Sequence, residues 1–257
     1  APSEMCIRDR ACLNGNVGTY NSTDVDGTIT QGGYSQKVVV NENFVCRIPD
    51  SLDFDVAAPL LCAGITTYSP LANWNVHEGQ NVAVLGLGGL GHMGVQIAVA
   101  MGANVTVLSR TTNKEAYAKE LGASRLLATS EPDFFTNHRG EFDFILNTIS
   151  APIDLRGYLG LLKPFGAMVL VGLPPEGLEI SARNLIAGDK ALAGSNIGGI
   201  AQTQEMLDFC AEHGIGARIE KIGVHDVDVA YDRVVAGDVR SRFVIDTAGF
   251  EDAPLEA

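Results

Sequence analysis

The sequence predicts an α/β fold built on a doubly wound parallel sheet, and three observations predict it. Short apolar runs rich in β-branched residues recur between Asn81 and Gly194, separated by stretches with helical spacing. Glycines punctuate the junctions at Gly86, Gly102 and Gly122. One junction reads G-x-G-x-x-G directly after a predicted strand. Strands that alternate with helices in this way require a parallel sheet covered on both faces.

The organising stretch runs from Asn81 to Lys114. Val82, Val84 and Leu85 form a buried strand that stops at Gly86, and Leu87-Gly88-Gly89-Leu90-Gly91 follows. His92 to Met101 carries Met93, Val95, Ile97, Ala98 and Met101 at helical spacing and ends at Gly102. Val105 to Leu108 reads as the next strand. Strand, glycine turn, helix and strand within about 30 residues make the dinucleotide-binding unit of a Rossmann fold. Gly86 allows the tight turn, Gly88 a close approach of backbone to a pyrophosphate, and Gly91 tight packing of helix on strand. The free N–H groups at the helix start face the anion.

Upstream, the first ten residues fit nothing that follows. A truncated or mis-joined N terminus is expected, although a mobile native tail would read the same way. Cys12 to Tyr20 reads as Asn- and Gly-rich loop. Residues Thr28–Tyr34 give a strand and turn, Gln36–Asn41 a strand, and Phe44–Ile48 another. Two helical stretches follow, Asp53–Leu61 (interrupted by Pro59) and Gly64–Trp74. Beyond the cofactor unit the pattern gives a helix at Lys114–Leu121, a strand at Arg125–Ala128 and a helical connector at Pro132–His138. A strand at Phe142–Asn147, a helix at Leu155–Leu162 and strands at Ala167–Val171 and Ala191–Gly194 follow. Thr203–His213 and Val227–Val235 read as helices, Phe243–Asp246 as a closing strand, and the acidic tail from Glu251 as disordered.

The 257 residues are 46% hydrophobic and carry a net charge of −13, which suits a globular chain and argues against a nucleic-acid or anionic-membrane surface. No apolar run reaches the roughly 18 residues needed to span a bilayer, and no signal peptide is read. The odd, scattered cysteines (Cys6, Cys12, Cys46, Cys62, Cys210) point to a reducing, cytoplasmic setting rather than a disulfide framework.

Past the second strand of the cofactor unit, an NAD site places a carboxylate for the ribose hydroxyls. Here stand Ser109, Arg110, Thr111, Thr112, Asn113 and Lys114. Hydroxyls with two cations suit a 2′-phosphate, which favours NADP(H) over NAD; a solvated loop would read alike. No tyrosine opens a Tyr-x-x-x-Lys pair, and neither G-x-x-x-x-G-K-[ST] nor G-x-S-x-G occurs. Taken alone, Cys62 among leucines reads as a small buried hydrophobe.

The motifs APLLCAGITTYSPL, GLGGLGHMG, GSNIGG and VRSRFVID resemble, in order and spacing, the zinc-dependent medium-chain dehydrogenase/reductases. The closest branch is the cinnamyl alcohol dehydrogenase-like, NADPH-dependent aldehyde reductases. The resemblance covers about Cys12 to Asp246. It implies a Rossmann domain over 62–200 beside remnants of a β-rich GroES-like catalytic domain at 11–61, with the chain returning to that domain from 201 to 257. It assigns Cys62 as a catalytic zinc ligand and Cys12 as a structural zinc ligand. Thr66, Gly86–Gly91 (with Leu87, Gly88, Gly89 and Leu90) and Ser109–Lys114 become cofactor contacts. Thr148, Gly172, Ser195, Asn196 and Ile197 line the nicotinamide side, and Arg240 approaches the phosphates. The resemblance also implies a homodimer through the sheet edge near the sixth strand.

The departures from the family are equally specific. Members carry on the order of a hundred further residues upstream, with the first catalytic cysteine, the proton-relaying hydroxyl, a His-Glu pair and three structural cysteines. A catalytic zinc needs three protein ligands, and Cys6 does not sit in a matching motif. In a whole protein the resemblance implies zinc polarising an aldehyde oxygen while NADPH delivers hydride; the chain as written is expected to bind zinc poorly and to fail aldehyde reduction. Two other readings stay open: a zinc-free quinone-reductase-like enzyme, and a non-catalytic NADP-binding module.

Overall fold

The computed structural model describes residues 22–24, 26–30 and 33–252. A short antiparallel hairpin joins β1 (Ser22–Thr23) to β2 (Ile29–Thr30). Helices α1 (Phe54–Ala57) and α2 (Ala63–Asn73) flank a 3-10 turn, Ala58–Leu61, that accommodates Pro59.

The core is one parallel sheet. Its strands are β3 (Asn81–Leu85), β4 (Asn104–Ser109), β5 (Arg125–Ala128), β6 (Phe142–Asn147), β7 (Leu162–Leu170) and β8 (Ala191–Gly194). They lie in the order β5-β4-β3-β6-β7-β8. The intervening helices are α3 (Gly91–Ala100), α4 (Glu115–Glu120), α5 (Phe134–Asn137), α6 (Leu155–Gly160) and α7 (Arg183–Ile186). Successive side chains of a strand point to opposite faces, and β3 shows the consequence. Val82 and Val84 enter one core with Met93, Val95, Met206 and Leu207; Ala83 and Leu85 enter the other with Ile145, Leu155 and Leu159. All these side chains are buried, each contributing roughly 1.5–3 kcal/mol for its larger members.

After the sheet come α8 (Ile200–Glu212), β9 (Ile219–Gly223), α9 (Val227–Val235) and β10 (Arg242–Asp246). β9 and β10 pair in parallel as a separate ribbon, with Ile219 opposite Arg242. Among the described residues no helix is long and apolar enough to cross a membrane.

Several expectations are corrected. Residues 36–41 and 44–48 are not strands: Glu42–Phe44 is a 3-10 turn, and Val38, Val39 and Val40 are exposed. A strand needs a neighbouring strand for its backbone, and among the described residues no strand pairs with these; the Arg47 backbone bonds to the Gln204 side chain instead. The ribbon strand β9 carries no strand signal in the sequence because Ile-Glu-Lys-Ile lacks a period-two pattern; pairing with β10 makes it a strand. β7 starts earlier than its apolar run, since Leu162 pairs with Phe142 ahead of an irregularity that absorbs Pro164 and Phe165, the latter at φ +62. Of the acidic tail, Glu251 and Asp252 complete a 3-10 helix from Thr247; the rest lies outside the described residues.

Candidate functional site: a glycine turn at the strand ends

Strand register brings the candidate residues to one edge. Leu85 pairs with Leu108 and with Asn147, Asn147 with Leu170, and Leu170 with Gly194. The segments that follow these residues therefore emerge together at the carboxyl ends: 86–91, 109–114, 148, 172 and 195–197. The strand order reverses between β3 and β6, which opens the crevice where α/β sheets bind ligands.

The glycine turn is built by sterics. Gly86 has φ +92, a backbone state that L side chains rarely adopt. A Cβ on Gly91 would lie 2.1 Å from the Gly86 carbonyl oxygen, so only glycine lets α3 start against the end of β3. A Cβ on Gly88 would meet nothing within 4 Å, leaving open space above that backbone. A Cβ on Gly89 would lie 2.6 Å from Nε of Arg242. That Nε is buried with no hydrogen-bond partner. A guanidinium over a helix N-terminus and a glycine turn, with one N–H unused, has the donor chemistry that suits an anion.

Lys114 closes the other side. Its ammonium donates to the Leu87 carbonyl at 2.8 Å, drawing the loop after β4 back over the turn. Ser109 is half-buried, whereas Arg110, Thr111, Thr112 and Asn113 are exposed. Among the described residues of 109–114 no carboxylate intervenes, so the loop presents hydroxyls and cations.

Thr148 hydrogen-bonds through its hydroxyl to the Leu85 carbonyl at 2.9 Å, and a Cβ on Gly172 would lie 2.2 Å from the Ile149 carbonyl oxygen. In the turn after β8, Ile197 sits at φ +52, a rare conformation for a β-branched residue. The adjoining Gly198 packs against Ile65 of α2, where a Cβ would come within 2.7 Å of Cδ1. Thr66, one turn beyond Cys62 in α2, is buried. Cys62 is exposed at the start of α2 and shares a 680 Å³ cavity with Gly89, Leu90, Thr148 and Arg242. It is therefore not the buried small hydrophobe that its leucine neighbours suggest.

Two placements differ from the sequence reading. Arg240 is not over the turn: its guanidinium lies 4.2 Å over the Tyr117 ring and 3.4 Å from Glu120. Arg242 holds that place instead. Both arginines stand in VRSRFVID, and the available signal was that Arg242 opens the strand. His92, to which the sequence assigns a place in the glycine-turn helix but no chemistry, is buried beneath the turn. Cys6 and Cys12 lie outside the described residues. Among the described residues no three His, Cys, Asp or Glu side chains converge, so the donors described do not compose a zinc site.

The family description "Zinc-binding dehydrogenase" matches residues 89–212. The chain is 56% identical over 245 residues to a probable formaldehyde dehydrogenase of Bacillus subtilis, covering 95% of this chain and 70% of that protein. It is 59% identical over 234 residues to an NADP-dependent alcohol dehydrogenase C of Mycolicibacterium smegmatis, covering 91% and 67%. Its fold superposes on a cinnamyl alcohol dehydrogenase of Sorghum bicolor with a TM-score of 0.88 at 43% identity, covering 93% of this chain and 68% of that one. The Helicobacter pylori cinnamyl alcohol dehydrogenase complexed with NADP(H) gives 0.80 at 41% identity, covering 89% and 66%. The chain belongs to the zinc-binding dehydrogenase family, alongside the NADP-dependent alcohol dehydrogenases and cinnamyl alcohol dehydrogenases.

Proposed function

We propose that this chain carries the NADP(H)-binding half of an oxidoreductase that interconverts aldehydes and alcohols, working mainly as an aldehyde reductase. One observation carries the reading: the unpartnered Nε of Arg242 over Gly89, beside open space at Gly88 and the Lys114 ammonium. The residues fit the cofactor. Gly86–Gly91 and Arg242 hold its diphosphate, Ser109 to Lys114 its 2′-phosphate, and Thr148, Gly172 and Ser195 to Ile197 its nicotinamide side. Arg240 is left with Glu120 and Tyr117 and gives up the phosphate role. When bound, the cofactor supplies the hydride. Cys62 faces the same cavity as the turn, where a thiol could serve as one metal ligand. No step is assigned to zinc, because the described residues do not complete its ligand set.

Two measurements test this reading. NADPH is expected to bind the chain at least about tenfold tighter than NADH, because two cations next to a phosphate add charge-assisted bonds; equal affinities would contradict the assignment of Ser109–Lys114. Cys62→Ser is expected to leave the NADPH affinity within about twofold, since one neutral hydroxyl replaces an exposed thiol away from the diphosphate. Calorimetric titration reads both.

A further inference from the structure

His92 is the second residue of α3, yet it has no exposed surface. Its imidazole spans two segments far apart in the chain. Nδ1 lies 3.2 Å from the carbonyl oxygen of Gly88, and Nε2 lies 3.2 Å from the backbone nitrogen of Arg218. A carbonyl only accepts and a peptide N–H only donates. The partners therefore set the tautomer: Nδ1 carries the proton and Nε2 the lone pair. Burial pushes the imidazole pKa down to about 4, aided by the Arg242 and Arg218 guanidiniums, so the ring is neutral near pH 7.

Each end of this bridge leads to the glycine turn. The Gly88 carbonyl also accepts the backbone N–H of His92 at 3.0 Å, so the ring adds a second donor to one oxygen. In a trans peptide the C=O and the following N–H point in opposite directions. Holding the Gly88 oxygen toward α3 thus aims the Gly89 N–H away from the helix. At the other end, Arg218 precedes Ile219, which stands opposite Arg242 in the β9–β10 ribbon.

We propose that His92 is a positioning residue for the cofactor's diphosphate. It ties the Gly88–Gly89 peptide to the ribbon that bears Arg242, so that one backbone N–H and one guanidinium address the same anion. This inference rests on the NADP(H) reading above.

The test uses the whole chain, its His92→Leu and His92→Gln variants, and two ligands, NADPH and adenosine 2′-monophosphate. Leucine fills space without a donor or acceptor; glutamine keeps one of each. His92→Leu is expected to weaken NADPH about tenfold or more, whereas adenosine 2′-monophosphate, which has no diphosphate, shifts by less than about threefold. His92→Gln is expected to recover most of the NADPH affinity. Unchanged NADPH affinity in the leucine variant overturns the proposal, and so does a parallel loss for both ligands, which would mean general support of the fold. If the leucine variant does not fold, the nitrogen NMR shifts of His92 in the unaltered chain decide. A neutral, Nδ1-protonated ring at pH 7 supports the bridge, and any other form overturns it. Should the unaltered chain bind neither ligand, the cofactor reading falls and takes this proposal with it; binding by the unaltered chain with no effect of substitution removes the proposal alone.

Discussion

Gly91→Ala is expected to destabilise the chain by about 3 kcal/mol or more, lowering the thermal midpoint by roughly 6–12 °C. The added methyl would sit 2.1 Å from the Gly86 carbonyl oxygen and 2.9 Å from its carbon. Both are backbone atoms at the end of the central strand, so no side-chain rotation relieves the clash. Either α3 moves off the sheet or the turn at Gly86 opens, and both sacrifice contacts of the buried Met93 and Val95. Gly88→Ala supplies the contrast. Its Cβ meets no atom within 4 Å and its φ is not in the left-handed region, so the midpoint should stay within about 2 °C. The methyl instead fills the space a diphosphate needs, and NADPH affinity should fall at least about tenfold. A melting curve and a titration for each variant separate the effects. A Gly91→Ala protein that melts like the unaltered chain would refute the steric account.

Arg242→Met is expected to raise the NADPH dissociation constant about ten- to a hundredfold, the loss of one or more charge-assisted hydrogen bonds. The same substitution should not lower the melting temperature. In the folded chain the Arg242 Nε is buried without a partner, which costs stability until an anion arrives, and methionine removes that cost while keeping most of the apolar stem. A group that burdens the free protein and serves the ligand leaves this signature. Arg240→Met should change NADPH affinity less than about threefold, because its guanidinium is engaged with the Tyr117 ring and Glu120. If the two arginines exchange these behaviours, the placement over Gly89 is not the one the cofactor meets.

The ribbon that carries these arginines is fastened to the sheet by side chains distant in sequence. Tyr117 of α4 shares a buried 2.5 Å hydrogen bond with Ser241, between the two arginines. Gln96 of α3 donates to the Gly216 carbonyl at 3.5 Å, and Arg218 lies 3.7 Å from Glu120. These contacts explain how residues 240 and 242, two apart on one segment, come to point at different partners. Ser241 is held down against α4, Arg240 folds outward over Tyr117, and Arg242 runs across Gly89.

The sheet was legible in the sequence because its strands are buried on both faces. Val82 to Leu85 and Phe144 to Leu146 read as short apolar runs, and the glycines after the first of them require backbone states or approaches that other residues resist. The hydroxyls and two cations of Ser109 to Lys114, with no carboxylate among them, likewise pointed to a phosphorylated dinucleotide from the sequence alone. Only the tertiary structure decided the rest. Val38 to Val40 have the composition of a strand but no partner among the described residues, while Ile219 to Gly223 lack the pattern and become a strand through β10. Choosing Arg242 over Arg240, and giving His92 its tautomer, required the crossing of segments more than a hundred residues apart. Local periodicity dictates what kind of element a stretch becomes, because it depends on neighbours three or four positions away; where a charge or a lone pair ends up depends on which distant backbone it is packed against.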